Sequence, residues 1–413
     1  MRILVVCQRY WPEQFQVTLV CEELAARGHE VTVLCGLPNV GLPFGEPGHV
    51  PAEYRSGRNR EQEHNGVRIL RSFEIGRRTG VLWRALNYYS FWKSAKRDVM
   101  RIRWGFDVVL AYQLSPAMMA VPAVEYASRT GTPVFLYCCD LWPESMRAIL
   151  GNRGELLLKH FGRICRRMYQ GVDRIGIQSP GFEGYFREVH GIDASRLVYF
   201  PHFATDVTRD GIRPLAENHD GTNLVFMGNM GVVQGVDWMV EAVSLLPRAL
   251  NATLHFVGDG SELQKAIARA KELGVEDRVV FHGRQPTEDM PTYYAMADVC
   301  LLALDDSSAI GLTIPSKLQG YMAAGKPVVG AVGGGAKFVI EDSGCGIAVP
   351  PRDIRAMAEA IRILASDRDK RDECGKRARS YYEKHFTRAA YVNRLEAELV
   401  RLAKEGRPHV RQE

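Results

Sequence analysis

The sequence predicts an α/β fold made of two doubly wound, Rossmann-like domains that face a cleft. Its 413 residues exceed what a single hydrophobic core usually organises. Short apolar segments alternate with amphipathic segments in both halves, which is typical of successive β-α units in a parallel sheet. A polar stretch rich in turn-forming residues, between Pro201 and Asn223, interrupts this alternation and predicts the domain boundary.

Composition narrows the class of protein. With 46% hydrophobic and 24% charged residues, the chain has the balance of an ordinary globular protein. It has no apolar run of about 18 residues, and its first residues lack the features of an export signal, so Met1 to Cys7 is predicted to be a strand. Nine cysteines without a C-x-x-C pair favour reduced thiols over a metal site. We therefore expect a cytoplasmic protein with no metal or other cofactor.

The first domain is predicted to contain seven strands and a helix from Val17 to Arg27. The strands are at 2–7, 30–35, 66–72, 107–112, 133–138, 174–179 and 197–200. The loop after the first strand lacks the G-x-G-x-x-G fingerprint, which argues against a dinucleotide cofactor. It is instead either an exposed aromatic and polar rim that binds a sugar acceptor or a packed surface loop. The residues concerned are Arg9, Tyr10, Trp11 and Glu13.

The segment from Arg77 to Trp104 carries the excess positive charge. It holds eight Lys or Arg residues and one acidic residue, Asp98, so its net charge of +7 exceeds the +5 of the whole chain. Aromatic residues are interleaved with these cations, which favours a helix lying on an anionic membrane surface. A core helix is the alternative interpretation, and no nucleic-acid motif accompanies the segment. A second basic helix, Leu156 to Tyr169, is predicted to extend the same surface.

Two carboxylates, Asp140 and Glu144, follow the predicted strand at 133–138. Loops at the carboxyl ends of parallel strands commonly hold functional residues. Such carboxylates can act as acid and base or accept hydrogen bonds from sugar hydroxyls. The alternative is that Asp140 only caps the following turn.

The second domain is predicted to bind phosphate where two helices begin. Its strands are predicted at 223–228, 252–260, 278–284, 299–304 and 327–332. A glycine-rich turn follows the first of them, and a helix at 315–324 follows the fourth, so two helix starts converge on a diphosphate. The alternative is that Pro315 and Ser316 merely start a helix and Lys317 is a solvated charge. A long amphipathic helix, Arg388 to Glu405, ends the chain. The predicted domains are therefore 1–205 and 206–385, followed by a C-terminal helical segment, 386–413, that returns to the first domain.

Several stretches together resemble one enzyme family. They are RYWPE, GHEVTVLCGLPN, DLWPES, GNMGVVQG, IPSKLQGYMAAGKPVV and GCGIAVPPRD. The chain is similar to the retaining GT-B glycosyltransferases, within them the bacterial exopolysaccharide and O-antigen subfamily typified by the colanic-acid fucosyltransferase and WbuB.

The resemblance implies a nucleotide diphosphate sugar donor in the second domain and a saccharide acceptor in the first. The implied donor-binding residues are Gly228, Asn229, Gln234, Gly235, Arg284, Pro315, Ser316 and Lys317. Lys317, Asp140 and Glu144 are the implied catalytic residues. The expected acceptor is linked to a polyprenyl diphosphate, with the protein peripheral on the inner face of the plasma membrane and no nucleic-acid partner.

The chain departs from relatives at five positions. Asn229 and Gln234 stand where many relatives have an Arg and a Lys, and Leu312 and Gly320 stand where they have glutamates for the donor sugar and ribose. Cys139 stands where many relatives have a His in the catalytic site. Three alternatives therefore remain: a nucleotide-sugar epimerase or hydrolase, a transferase with a soluble acceptor, and a non-catalytic membrane-surface module that binds nucleotide sugars.

Overall fold

The computed structural model describes residues 1–39, 49–102, 105–150, 154–206, 221–307 and 309–407, and at 148–150 the backbone alone. The chain divides into two compact units. The first unit is Met1–Gln178, Phe182–Phe200 and Val392–Glu413, and the second is Ser179–Gly181 and Pro201–Tyr391. Most of the predicted boundary segment, 207–220, lies outside the described residues.

The first unit contains an eight-stranded sheet in the order β3-β4-β2-β1-β5-β6-β7-β8. Every pairing is parallel except that of β3 with β4. The strands are β1 Arg2–Val6, β2 Glu30–Cys35, β3 Glu61–His64, β4 Val67–Arg71, β5 Val108–Gln113, β6 Val134–Cys138, β7 Arg174–Ile177 and β8 Leu197–Tyr199. The seven predicted strands are all present. We did not predict β3, because its sequence EQEH has none of the apolar residues that mark a buried strand.

Within the described ranges, seven helices of this unit precede the second unit's first strand. They are α1 Gln16–Ala26, α2 Ala52–Arg55, α3 Val81–Val99, α4 Val121–Thr130, α5 Glu144–Leu150, α6 Glu155–Gln170 and α7 Phe182–His190. The central strands are buried along their whole length, because helices cover a parallel sheet on both faces. The first unit is therefore the predicted doubly wound domain.

The second unit contains a six-stranded parallel sheet in the order β11-β10-β9-β12-β13-β14. The strands are β9 Thr222–Met227, β10 Ala252–Val257, β11 Val279–Gly283, β12 Val299–Ala303, β13 Val328–Ala331 and β14 Gly346–Val349. The helices that follow β9 are α8 Val236–Ser244, α9 Leu263–Glu272, α10 Met290–Met296, α11 Ser316–Ala323, α12 Gly334–Ser343, α13 Ile354–Ser366, α14 Arg368–His385 and α15 Arg388–Glu405. The strand order reverses between β9 and β12, which makes their carboxyl ends the switch point of this sheet.

The last helix, α15, begins among residues of the second unit and continues, from Val392, among those of the first. Within the first unit, Glu396 accepts hydrogen bonds from Arg27 at 2.7 Å and from His29 at 2.8 Å. Farther along, Arg407 forms a buried ion pair with Asp173 at 3.2 Å. These contacts attach the end of the chain to the first unit, and residues 408–413 of the predicted helical segment lie outside the described ranges.

Candidate functional site

Two loops meet at the switch point of the second sheet. β9 leads into Gly228 and Asn229, and the loop after β12 leads into α11, which begins at Ser316. Gly228 has a φ of +120°, a conformation that residues with a Cβ rarely adopt, and a Cβ there would lie 2.9 Å from the Lys317 side chain. The glycine is therefore needed for both the turn and the close approach of the lysine.

Lys317 is the charged group at this point. Its ammonium donates to the backbone oxygen of Asn229 at 3.2 Å and to the side-chain oxygen of Gln234, and it lies 4.5 Å from the centre of the Phe226 ring. Within the described part of the chain it forms no ion pair. Burial lowers the pKa of Lys317 to about 8. The site therefore holds a half-buried cation among neutral hydrogen-bond acceptors, an arrangement that favours an anionic ligand.

A cavity of about 480 Å³ lies beside this turn. It is lined by Gly228, Asn229, Val257, Gly258, Asp259, Gly260, Arg284, Gln285 and Met290. The loops after β9 and β10 pack closely there, since a Cβ on Gly258 would lie 2.0 Å from the Gly228 carbonyl oxygen. The Gly258 amide also donates to the backbone oxygen of Gly283, at the end of β11, at 2.8 Å. Arg284 is exposed at its edge. The cavity is large enough for a small ligand.

Both predicted helix starts are present. α8 follows Gly235, which has a φ of +52°, and α11 follows Pro315. No N-cap side chain accepts a hydrogen bond from either helix, although within α8 the Trp238 amide donates to the Asp237 carboxylate at 3.2 Å. Because Lys317 on α11 contacts Gln234, directly before Gly235, the two starts lie close together. Such paired amide ends favour a diphosphate.

The structure also explains the departure at Gly320. A Cβ at this position would lie 2.6 Å from the hydroxyl oxygen of Tyr294, so a glutamate would not fit without displacing the tyrosine. Burial raises the pKa of the Tyr294 hydroxyl, which keeps it protonated and able to donate. We did not predict a role for Tyr294, which lies on α10. The only feature of the sequence that points to it is its position four residues after Met290, which lines the cavity.

In the first unit, Asp140 follows β6 and is held by one residue at the end of β5 and one just after it. Its carboxylate accepts a hydrogen bond from the Ser115 hydroxyl at 2.6 Å, and its backbone oxygen accepts from Gln113 at 2.9 Å. Trp142 donates through Nε1 to the Ser115 hydroxyl at 3.0 Å. Across the described ranges, Asp140 forms no ion pair. Its half-exposed carboxylate is therefore held in place by neutral groups alone.

Glu144 differs from Asp140 because a cation already matches its charge. It is the first residue of α5 and pairs with Arg147 at 3.0 Å, an arginine that also reaches Glu155 at 3.5 Å. We did not predict the positioning group, Ser115, because it is 25 residues away from Asp140 in sequence.

The loop after β1 is more buried than the predicted rim. Arg9, Tyr10 and Glu13 are buried, and Trp11 is half-exposed and stacks on His64 with ring centres 4.1 Å apart. The physical reason is a partner that we did not predict: Arg9 forms an ion pair with Glu74 at 2.7 Å. Its charge is thereby matched inside the first unit.

A buried polar network surrounds this ion pair. Gln8 donates to Glu74 at 2.6 Å, Arg9 donates to the Asn87 side chain at 2.7 Å, and the Asn39 amide donates to Glu13 at 2.7 Å. Burial raises the pKa of Glu74, although Arg9 opposes this. Because Asn87 lies on α3, the network fixes the β1 loop to that helix.

The outward face of α3 exposes apolar and aromatic side chains. Val81 is 60% exposed, Leu82 70% and Tyr89 56%, whereas the inner face buries Asn87 and Phe91. Cations of this segment lie over aromatic rings. Arg78 lies 4.5 Å from the centre of the Trp83 ring, and Lys93 lies near the rings of Tyr89 and Trp92. Residues 103–104 of the predicted basic segment lie outside the described ranges. Among the helices that the structure describes, none combines the length and the apolar character needed to cross a bilayer.

Comparison with known proteins gives two family matches. Residues 208–381 match the family described as glycosyl transferases group 1, and residues 14–202 match the glycosyl transferase 4-like domain. Together these matches span most of both units.

Two curated relatives illustrate the sequence similarity. The probable glycosyltransferase WbjE of Pseudomonas aeruginosa is 28% identical over 62% of this chain and 65% of its own length. A GDP-mannose-dependent alpha-(1-6)-phosphatidylinositol monomannoside mannosyltransferase of Mycobacterium tuberculosis is 27% identical over 53% of this chain and 59% of its own length. The matched region thus spans less than two thirds of these relatives.

Two solved structures share the fold. Anabaena HepE in complex with UDP superposes with a TM-score of 0.67 at 16% identity, covering 97% of this chain and 100% of HepE. Sucrose-phosphate synthase from Thermosynechococcus elongatus has a TM-score of 0.66 at 18% identity, covering 98% of this chain and 100% of the synthase.

Proposed function

The chain belongs to the group 1 glycosyltransferases of GT-B fold, and from that premise we propose that it transfers a sugar from a nucleotide diphosphate sugar to a saccharide acceptor. The names of its relatives support a nucleotide-sugar donor, since one is GDP-mannose-dependent and the HepE structure contains UDP. The second unit binds the donor in this proposal, and the first unit binds the acceptor.

The observation that carries the proposal is the environment of Lys317. Cleaving a nucleotide sugar leaves negative charge on the diphosphate, and a preorganised cation stabilises that charge as it develops. Lys317 is already placed, half-buried and without an ion pair in the described ranges, beside two uncapped helix starts. The cavity beside Gly228 and Arg284 then accommodates the nucleoside.

The proposed reaction retains the configuration at the anomeric carbon. The bond from that carbon to the diphosphate oxygen breaks, and the acceptor hydroxyl oxygen bonds to the carbon on the same face. The departing phosphate oxygen takes the hydroxyl proton, so the proposal requires neither a protein nucleophile nor a metal ion. Asp140, held by Ser115, accepts a hydrogen bond from the acceptor and orients it.

We further propose that the acceptor is a polyprenyl-diphosphate-linked saccharide of cell-surface polysaccharide synthesis, as in the exopolysaccharide and O-antigen enzymes. The exposed side chains of α3, together with its cations, support contact with an anionic membrane surface. The protein is then peripheral on the cytoplasmic face of the membrane.

The test is transfer from a panel of radiolabelled nucleotide sugars to a lipid-linked acceptor, with products identified by mass spectrometry. Lys317→Ala should lower turnover about 10²-fold or more. Lys326→Ala is the matched control, because Lys326 donates to the backbone oxygens of Ala295 and Ala297 at the opposite, amino end of the same sheet. Label released to water would indicate a hydrolase. Nucleotide binding with no product would indicate a binding module.

A further inference from the structure

A separate cavity lies in the first unit, where α5, α6 and α7 meet beside Glu144. Its volume is about 300 Å³, at the small end of the range for ligand sites. Four cationic side chains line it, from Arg147, Lys159, Arg163 and Arg166, together with the carboxylates of Glu144 and Glu155. The cavity is thus a basic one that borders a predicted catalytic residue.

The two carboxylates neutralise two of these four cations. Glu144 and Glu155 both contact Arg147, and Glu155 lies 3.8 Å from Lys159. No carboxylate of the described residues pairs with the other two cations. Arg166 donates to the backbone oxygen of Val189 at 2.7 Å, and Arg163 is exposed. Two guanidinium groups therefore leave the cavity with about two unmatched positive charges, which complements a diphosphate.

An apolar surface adjoins these arginines. Leu156 is 85% exposed and Leu157 beside it is 46% exposed, so α6 presents neighbouring apolar side chains to water on the helix that carries these arginines. Leu156 lies seven residues before Arg163, so both side chains project from the same side of α6. A ligand that is anionic at one end and hydrocarbon at the other satisfies both features.

We propose that this cavity binds the diphosphate of a prenyl-diphosphate-linked acceptor, with the hydrocarbon chain leaving along Leu156. The assignment rests on the proposed function and specifies where the diphosphate of its acceptor binds. A sugar attached to that diphosphate then lies beside Glu144, which shares the cavity. The arginines position the acceptor by binding its diphosphate and take no part in bond breaking.

The test measures binding of farnesyl diphosphate to the full chain by calorimetry, below its micellar concentration. Arg163→Ala should weaken binding about 10-fold, the loss expected for one charge-assisted hydrogen bond. Arg163 has no hydrogen bond in the described structure, so its replacement should leave the melting temperature unchanged. Arg167→Ala is the matched control, because Arg167 is exposed on the same helix but does not line the cavity, and it should change the affinity less than two-fold.

Three results would overturn the assignment. The first is an equal loss of affinity in the Arg163 and Arg167 variants. The second is farnesol binding as tightly as farnesyl diphosphate. The third is an Arg163 effect confined to anionic phospholipid vesicles, which would assign the cavity to a lipid headgroup.

The transfer assay separates this proposal from the proposed function. If the wild type transfers sugar and Arg163→Ala keeps the wild-type KM for the lipid acceptor, the cavity assignment fails and the transferase assignment stands. If the wild type transfers no sugar but still binds farnesyl diphosphate, the transferase assignment fails and the cavity assignment stands.

Discussion

Raising the pH from 7 to 9 should weaken the binding of a nucleoside diphosphate, because Lys317 loses its proton in that range. Burial lowers the pKa of Lys317 from 10.5 to about 8, so the charged form is present below pH 8 and is lost above it. A diphosphate favours the charged form. Affinity should therefore be highest below pH 8 and fall as the pH rises.

The size of the effect follows from the fraction of protonated lysine. With a pKa of about 8, Lys317 is about nine-tenths charged at pH 7 and about one-tenth charged at pH 9. If only the charged form binds well, the dissociation constant rises about ten-fold, equivalent to about 1.4 kcal/mol. Ionisation of the ligand itself contributes little to this change between pH 7 and 9, because the second pKa of a phosphate is about 6 and the ligand is already mostly ionised at pH 7.

The assay is calorimetric titration with UDP and GDP between pH 7 and 9, in two buffers of different ionisation enthalpy. Near pH 8 the protein should take up about half a proton on binding, because the diphosphate restores the charge on Lys317. Lys317→Arg should retain affinity across the range, since a guanidinium does not titrate there. Lys317→Met should bind weakly at every pH.

Affinity that stays constant from pH 7 to 9 in the wild type would refute this reasoning. So would the same ten-fold change in Lys317→Met, because the titrating group would then be another residue. Proton release in place of proton uptake near pH 8 would contradict the predicted sign.

Three further changes test other parts of the molecule. Asp140→Asn should lower turnover about 10²-fold without changing the affinity for the nucleotide; near-normal turnover would remove its role in orienting the acceptor. Gly228→Ala should weaken nucleotide binding about 10-fold, because the new Cβ would lie 2.9 Å from the Lys317 side chain and the backbone φ of +120° would be strained; unchanged affinity would contradict the placement of the diphosphate. The double variant Leu82→Ser, Trp83→Ser should cosediment less with anionic vesicles than the wild type does, because both side chains are exposed on α3. Equal cosedimentation of the variant and the wild type would argue against membrane contact through α3.

Local patterns sufficed for most of the strands and for the start of α11. The segment NLVFM followed by glycines, and the segment VCLLA followed later by Ile-Pro-Ser-Lys, each show a buried strand, a loop and a helix start within a few residues. Such features depend on side-chain periodicity and on the special chemistry of Gly and Pro, which are visible in sequence. The strand β3 was missed because its polar sequence has no such periodicity.

The surroundings of the predicted site residues did not follow from local patterns. One of the two predicted alternatives placed Arg9 at an exposed rim, but it is buried against Glu74 and Asn87, residues 65 and 78 positions away. Likewise, Tyr294 occupies the space beside Gly320. No periodic signal records which polar groups from distant segments become neighbours.

The sequence alone determined that the chain alternates strand and helix in two halves, and that glycines and a Pro-Ser-Lys helix start follow the strands of the second half. Tertiary structure decided which of these ends meet, because the strand order places β9 beside β12 and β5 beside β6. Lys317 thereby reaches the turn at Asn229, and Ser115 reaches Asp140. Parallel pairing brings together strand ends from distant parts of the chain, and only the folded sheet shows those pairs.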